Sequence, residues 1–181
     1  MFDYWITILS WEIIDRHRSN ARKIRFDILI WGPSLQDKEL YLIRIKIKDY
    51  LNGLGHSAKF SEELLNEGLD KSAPDPIIDE FFHADAAQII IVLYRSRGTQ
   101  TEFDRILKYD KFARKSLIFV EDELWDVLQT SLSQENWNSV KNQVQRIGTY
   151  NEQIIITIIK EFIDKLQFAE YLRKLELELL S

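Results

Sequence analysis

The chain has 181 residues, 45% apolar and 29% charged, with five tryptophans; this is the makeup of one globular domain of ordinary size and excludes a disordered polymer. It contains no cysteine, which excludes a disulfide scaffold, a thiolate nucleophile and a sulfur-ligated zinc site and makes a reducing compartment, the cytoplasm, the expected address. The net charge of −5 is uneven, with 10 Lys/Arg against 7 Asp/Glu over residues 1–60 and 14 against 22 over residues 61–181. That is not the strongly basic face a nucleic-acid partner requires.

Phe2, Trp5, Ile6, Leu9 and Ile13 recur at three- and four-residue steps and predict a helix over 2–19. Tyr4, Ile8 and Trp11 lie off that stripe, so the helix is apolar over much of its circumference and is either sandwiched or packed on another protein. It lacks a basic leading region and a cleavage site, Asp3 and Glu12 interrupt it, and it is shorter than the about 20 apolar residues that span a bilayer. No membrane partner is expected. The basic run 16–25, RHRSNARKIR, reads as a solvated helix face.

Phe26 to Trp31 is a short apolar run closed by Gly32-Pro33, the pattern of a fully buried strand. Ser34 then opens a helix, with Asp37 completing a Ser-x-x-Asp cap. Leu40, Ile43, Ile47, Leu51 and Leu54 form its stripe and Gly53 and Gly55 end it. YLIRIKIK within it alternates like a strand, but the longer helical register and the caps favour helix. A second strand covers His56–Phe60, and SEELLNEGL starts a helix with carboxylates in its first turn. After the loop DKSAPD, Asp75 and Pro76 stand as N-cap and first residue of another helix, bearing the pairs Ile77/Phe81 and Ile78/Phe82. Gln88–Tyr94 is a third strand, 99–108 a helix, and SLIFVE (116–121) a fourth strand. Residues 122–150 read as one or two helices around Trp125 and Trp137, and a last helix carries Ile155, Ile158, Ile159, Phe162, Ile163 and Leu166.

Strands without internal alternation, each followed by a helix, predict an α/β fold with a parallel sheet of about four to five strands covered on both faces. The expected organisation is an N-terminal helical extension (1–24), an α/β domain (25–150) and a C-terminal helix (151–181) packing on the domain or a partner. Ligands of such sheets bind beyond the carboxyl ends of the strands, which singles out the loops 31–37, 60–63 and 94–102. In the first, Gly32, Pro33 and Ser34 allow close approach to helix N–H groups, or form an ordinary capped turn. In the second, Ser61 is an N-cap, with Glu62 and Glu63 behind it. In the third, Thr99-Gln-Thr-Glu102 is itself a capping box. Alternatively, Glu102 faces a cleft and stabilises or attacks an electron-poor sugar carbon, because glycosidic cleavage passes through an oxocarbenium-like state. Asp85 falls at the amino end of the third strand and reads as structural. No Walker A loop, G-x-G-x-x-G fingerprint or metal-ligand cluster is present, so neither a metal nor a cofactor is expected.

In order, a strand ending in Gly32-Pro33, then GHSAKFS (55–61), then Ala84-Asp85 before an apolar strand, then Gly98-Thr99-x-x-Glu102 resemble the nucleoside 2-deoxyribosyltransferase-like group. Its members share a flavodoxin-like layout with Toll/interleukin-1 receptor-like NAD-cleaving domains. The resemblance covers roughly residues 25–122. It implies that Glu102 acts at the anomeric carbon of a ribose or deoxyribose and that Gly32, Pro33 and Ser34 help to hold the substrate. A related phosphoribohydrolase motif, G-G-x-G-T-x-x-E, is matched at Gly98, Thr99 and Glu102, with Arg95-Ser96 in place of its glycine pair. Deoxyribosyltransferases usually carry an aspartate just before the Gly-Thr; here Ser96 and Arg97 stand there, which directs the reading away from base exchange and towards NAD-cleaving or nucleotide-binding relatives.

The expectation is therefore a nucleotide or NAD N-glycosidase with Glu102 as catalytic carboxylate. Ser61, Ser96, Gly98, Thr99 and the 32–34 loop shape the pocket, and Arg95 or Arg97 holds a phosphate. The resemblance also implies a bacterial defence role in oligomers. Two alternatives stand beside it: a non-catalytic module that binds a nucleotide-like signal, and an interaction protein in which Glu102 is only a cap. Trp5, Trp11, Trp125 and Trp137 fit a homo-oligomer or protein partner reached through the terminal helices.

Overall fold

The structure is a computed structural model that describes residues 2–33, 35–66, 76–95 and 109–180, with side chains from residue 12 onward except 65, 66, 76–80 and 110. It divides into two compact units, one of residues 26–156 and one of residues 1–25 with 157–181.

The larger unit is built on β1 (Asp27–Trp31), β2 (Ser57–Phe60), β3 (Ile89–Tyr94), β4 (Ser116–Glu121) and β5 (Val144–Ile147). They form one sheet in the order β2-β1-β3-β4-β5, and every neighbouring pair is parallel. This is the flavodoxin-like arrangement. Residues of β3 and β4 from Ile89 to Val120 are buried almost without exception, as required of strands covered on both sides. Leu29, Trp31, Ile90, Val92, Ile118 and Val120 enter a cluster with Ala84, Phe112, Leu128 and Val140. The alternate residues, including Ile28, Ile30, Ile89, Ile91, Leu117 and Phe119, are buried on the opposite face.

The helices follow from right-handed crossovers. The chain leaves β1 and β3 in opposite lateral directions, so α2 (Lys38–Gly53) lies on one face. On the other lie α3 (Ser61–Asn66), α4 (Pro76–Ala86), α5 (Asp110–Ala113), α6 (Trp125–Ser131) and α7 (Gln134–Val140). Asp85, on α4, pairs with Lys111, and its carbonyl accepts from Lys115 Nζ at 3.1 Å, which fixes the amino end of β3 and not a ligand loop.

Two sequence expectations need correction. The helix expected from Ser34 begins at Lys38, and its N-cap is Asp37, whose Oδ1 accepts the Leu40 N–H at 3.2 Å; a carboxylate aimed at that N–H sets the start by itself. Residues 122–150 hold, besides a 3-10 turn, α6 and α7, a fifth strand. Gly55, with φ of 86°, closes α2 in the conformation open to glycine.

The smaller unit pairs α1 (Phe2–Ala21) with the distal part of α8 (Glu152–Leu179). His17 Nδ1 lies 2.8 Å from the Tyr171 hydroxyl, and Gln167 Nε2 donates to the Ile24 carbonyl at 2.8 Å. Among the described residues no helix is long and apolar enough to cross a membrane.

Candidate functional site

The switch point of the sheet lies between β1 and β3, the strands from which the chain departs to opposite faces, and ligands of such sheets bind beyond the carboxyl ends of the strands at that point. Gly32 and Pro33 leave β1 there, Ser61 follows β2, and Arg95 follows β3. Ser34, Ser96, Arg97, Gly98, Thr99 and Glu102 lie outside the described residues.

The floor under the first loop is Arg44, a residue the sequence reading passed over. It sits on the buried stripe of α2 with Leu40, Ile47 and Leu51, and its side chain is 1% exposed. A buried guanidinium needs acceptors for its N–H groups and a counter-charge. Nη1 donates to the Pro33 carbonyl at 2.9 Å, and Nη2 donates to the Ile30 carbonyl at 3.2 Å and to Glu62 Oε2 at 2.8 Å. The guanidinium carbon stands 4.4 Å from the centre of the Phe60 ring, a cation–π contact. Arg44 therefore joins the first loop to the second. Ser61 Oγ donates to the same Glu62 oxygen at 3.2 Å, so Ser61 is oriented toward this network.

Gly32 owes its identity to the same guanidinium. A Cβ there would stand 3.1 Å from Arg44 Cδ and 3.2 Å from Leu93 Cβ. The glycine allows close approach of α2 and β3, an internal demand that explains it without a ligand.

Arg95, just past β3, is 37% exposed, with Nε 3.3 Å from Asp37 Oδ2 and 3.9 Å from Glu121 Oε2. Asp37 belongs to the α2 cap and Glu121 ends β4, so three loops converge on one cation. Glu121 is 15% exposed and its Oε1 accepts the Tyr150 N–H at 3.3 Å. The Tyr150 hydroxyl reaches the carbonyls of Tyr94 at 2.7 Å and Phe119 at 2.9 Å. Burial, followed by the negative charge of Glu121, pushes that phenol far above its ordinary range, so it acts as a fixed hydrogen-bond donor and not as a proton shuttle. Among the described residues no group of three or more His, Cys, Asp or Glu side chains is placed to hold a metal.

The structure thus brings Gly32, Pro33 and Ser61 together around Arg44 and sets Arg95 against Asp37 and Glu121. Arg44 had a signal in the sequence, a cation on an otherwise apolar helical stripe. Asp37 had a signal only as a cap; its pairing with Arg95, and the roles of Glu121 and Tyr150, had none, because those partners lie tens of residues away.

No family model matches the chain, and no curated protein matches it. Among solved structures, the crystal structure of a conserved protein from Enterococcus faecalis V583 is similar, with a TM-score of 0.50, 15% sequence identity, and coverage of 76% of this chain and 99% of that one. At such identity the likeness concerns the fold.

Proposed function

We propose that the crevice at the carboxyl ends of β1 and β3 binds a nucleotide-like ligand and that the chain hydrolyses its ribose–base bond with Glu102 as the catalytic carboxylate. The observation that supports this is the strand order β2-β1-β3-β4-β5: Gly32-Pro33 and Arg95 end adjacent strands, and the segment carrying Glu102 follows Arg95 directly in the chain. In the reaction the bond between the anomeric carbon and the base nitrogen breaks and its electron pair leaves with the base. The carboxylate stabilises the cationic sugar, water adds to the anomeric carbon, and the proton that water loses goes to the base or to solvent. The defence role implied by the resemblance belongs to the same proposal.

One observation favours a second reading, binding without cleavage. Asp37, Arg44, Glu62, Arg95 and Glu121 are all engaged by other protein groups, as expected of a shaped but chemically quiet cleft. Incubation with NAD and a panel of nucleosides separates the two. Base release abolished by Glu102→Gln supports the enzyme; nucleotide binding without release supports the sensor; neither release nor binding removes both.

A further inference from the structure

The two-helix unit carries an open apolar seam along the junction of its helices. His17 meets Tyr171 and, 4.0 Å apart, Arg22 meets Asp164, so α1 and the distal part of α8 run antiparallel. On α8, Phe168, Leu172, Leu175 and Leu179 follow steps of four, three and four residues, the spacing of a coiled-coil seam. Phe168 is 41% and Leu172 43% exposed. The first three of these, with Ile14 and Ala21 of α1, line an open groove of about 760 Å³.

The charges around the groove indicate its occupant. Residues 16–25 hold five cations, Arg16, Arg18, Arg22, Lys23 and Arg25, and no carboxylate. Because the helices are antiparallel, the terminus of α8 lies at the opposite end of the unit, and its last charges are Glu176 and Glu178. A two-fold axis across the groove lays the cationic end of one copy beside the anionic end of the other, twice over, and closes the apolar seam between them. We propose that this face is the interface of a homodimer in which α1 and α8 of each copy form a four-helix bundle. The proposal is independent of the ligand of the crevice.

Sedimentation velocity of the full chain over roughly 1 to 100 μM tests it. The expected result is a dimer of the 21.5 kDa chain that dissociates to monomer in Leu172→Glu with an unchanged circular dichroism spectrum. Raising salt from about 0.1 to 1 M should weaken the dimer, since screening removes the end-to-end attraction. Phe168→Ser, a milder change on the same seam, should weaken it too and guards against misfolding of the first variant. A chain that stays monomeric throughout, or a dimer indifferent to both substitutions, overturns the proposal.

Discussion

At the scale of single residues, the loops after β1 and β2 are joined by a cation placed where an apolar side chain belongs. Arg44→Met keeps the packing stem but leaves the Ile30 and Pro33 carbonyls without their donor, so a loss of about 2–4 kcal/mol in urea denaturation is expected. Gly32→Ala forces a methyl group against Arg44 Cδ and Leu93 Cβ. Three hydrogen bonds hold the guanidinium, so the neighbour cannot yield freely, and a cost of about 1–2 kcal/mol follows. Equal stability of wild type and Gly32→Ala would show that α2 shifts to make room. Glu63 supplies a pH test. Burial raises its carboxyl, but the hydrogen bonds from Lys48 and the Phe60 N–H, with the charges of Lys48 and Arg44, outweigh that and hold it below its ordinary 4.5. A depressed carboxylate stabilises the fold above its unfolded pKa, and the contribution is lost as pH falls through the folded value. The advantage of wild type over Glu63→Gln is thus present at neutral pH and fades below 4.5; for a pair this solvated it is under about 1 kcal/mol. Denaturation midpoints at neutral and acid pH check it.

At the scale of elements, Tyr150 ties the ends of β3 and β4 through the Tyr94 and Phe119 carbonyls. Tyr150→Phe is expected to lower stability by about 1–2 kcal/mol and to speed amide exchange near those strand ends, while an unchanged exchange pattern would argue that the tether is dispensable. The elements differ in how legible they were. DILIW, IIIVLY and SLIFVE are continuous apolar runs because the sheet buries both of their faces, so the parallel fold could be read from them. VQRI of β5 sits at the sheet edge and is buried at Val144 and Ile147 but more open between, so it presents no run and reads as helix. The sequence places the start of α2 too early, at Ser34, because Ser34 and Asp37 are both competent caps, and the contact between Asp37 and the Leu40 N–H sets it at Lys38. The Arg95–Asp37–Glu121 cluster was illegible for a different reason: it joins three loops that only the sheet order brings together.

At the scale of the molecule, the flavodoxin-like unit and the helical pair each carry a separate proposal. We propose a nucleotide-like ligand beyond the carboxyl ends of β1 and β3 for the first and self-association for the second. The first depends on Glu102 and the second on the Phe168–Leu172 seam, so each can fail alone. The most direct test of the central claim is base release from NAD and from nucleosides by purified wild type and Glu102→Gln. The account predicts release by the wild type that falls at least about 100-fold in the variant, with ligand affinity retained. A wild-type protein that releases no base, or a Glu102→Gln variant that releases it as fast as wild type, contradicts it.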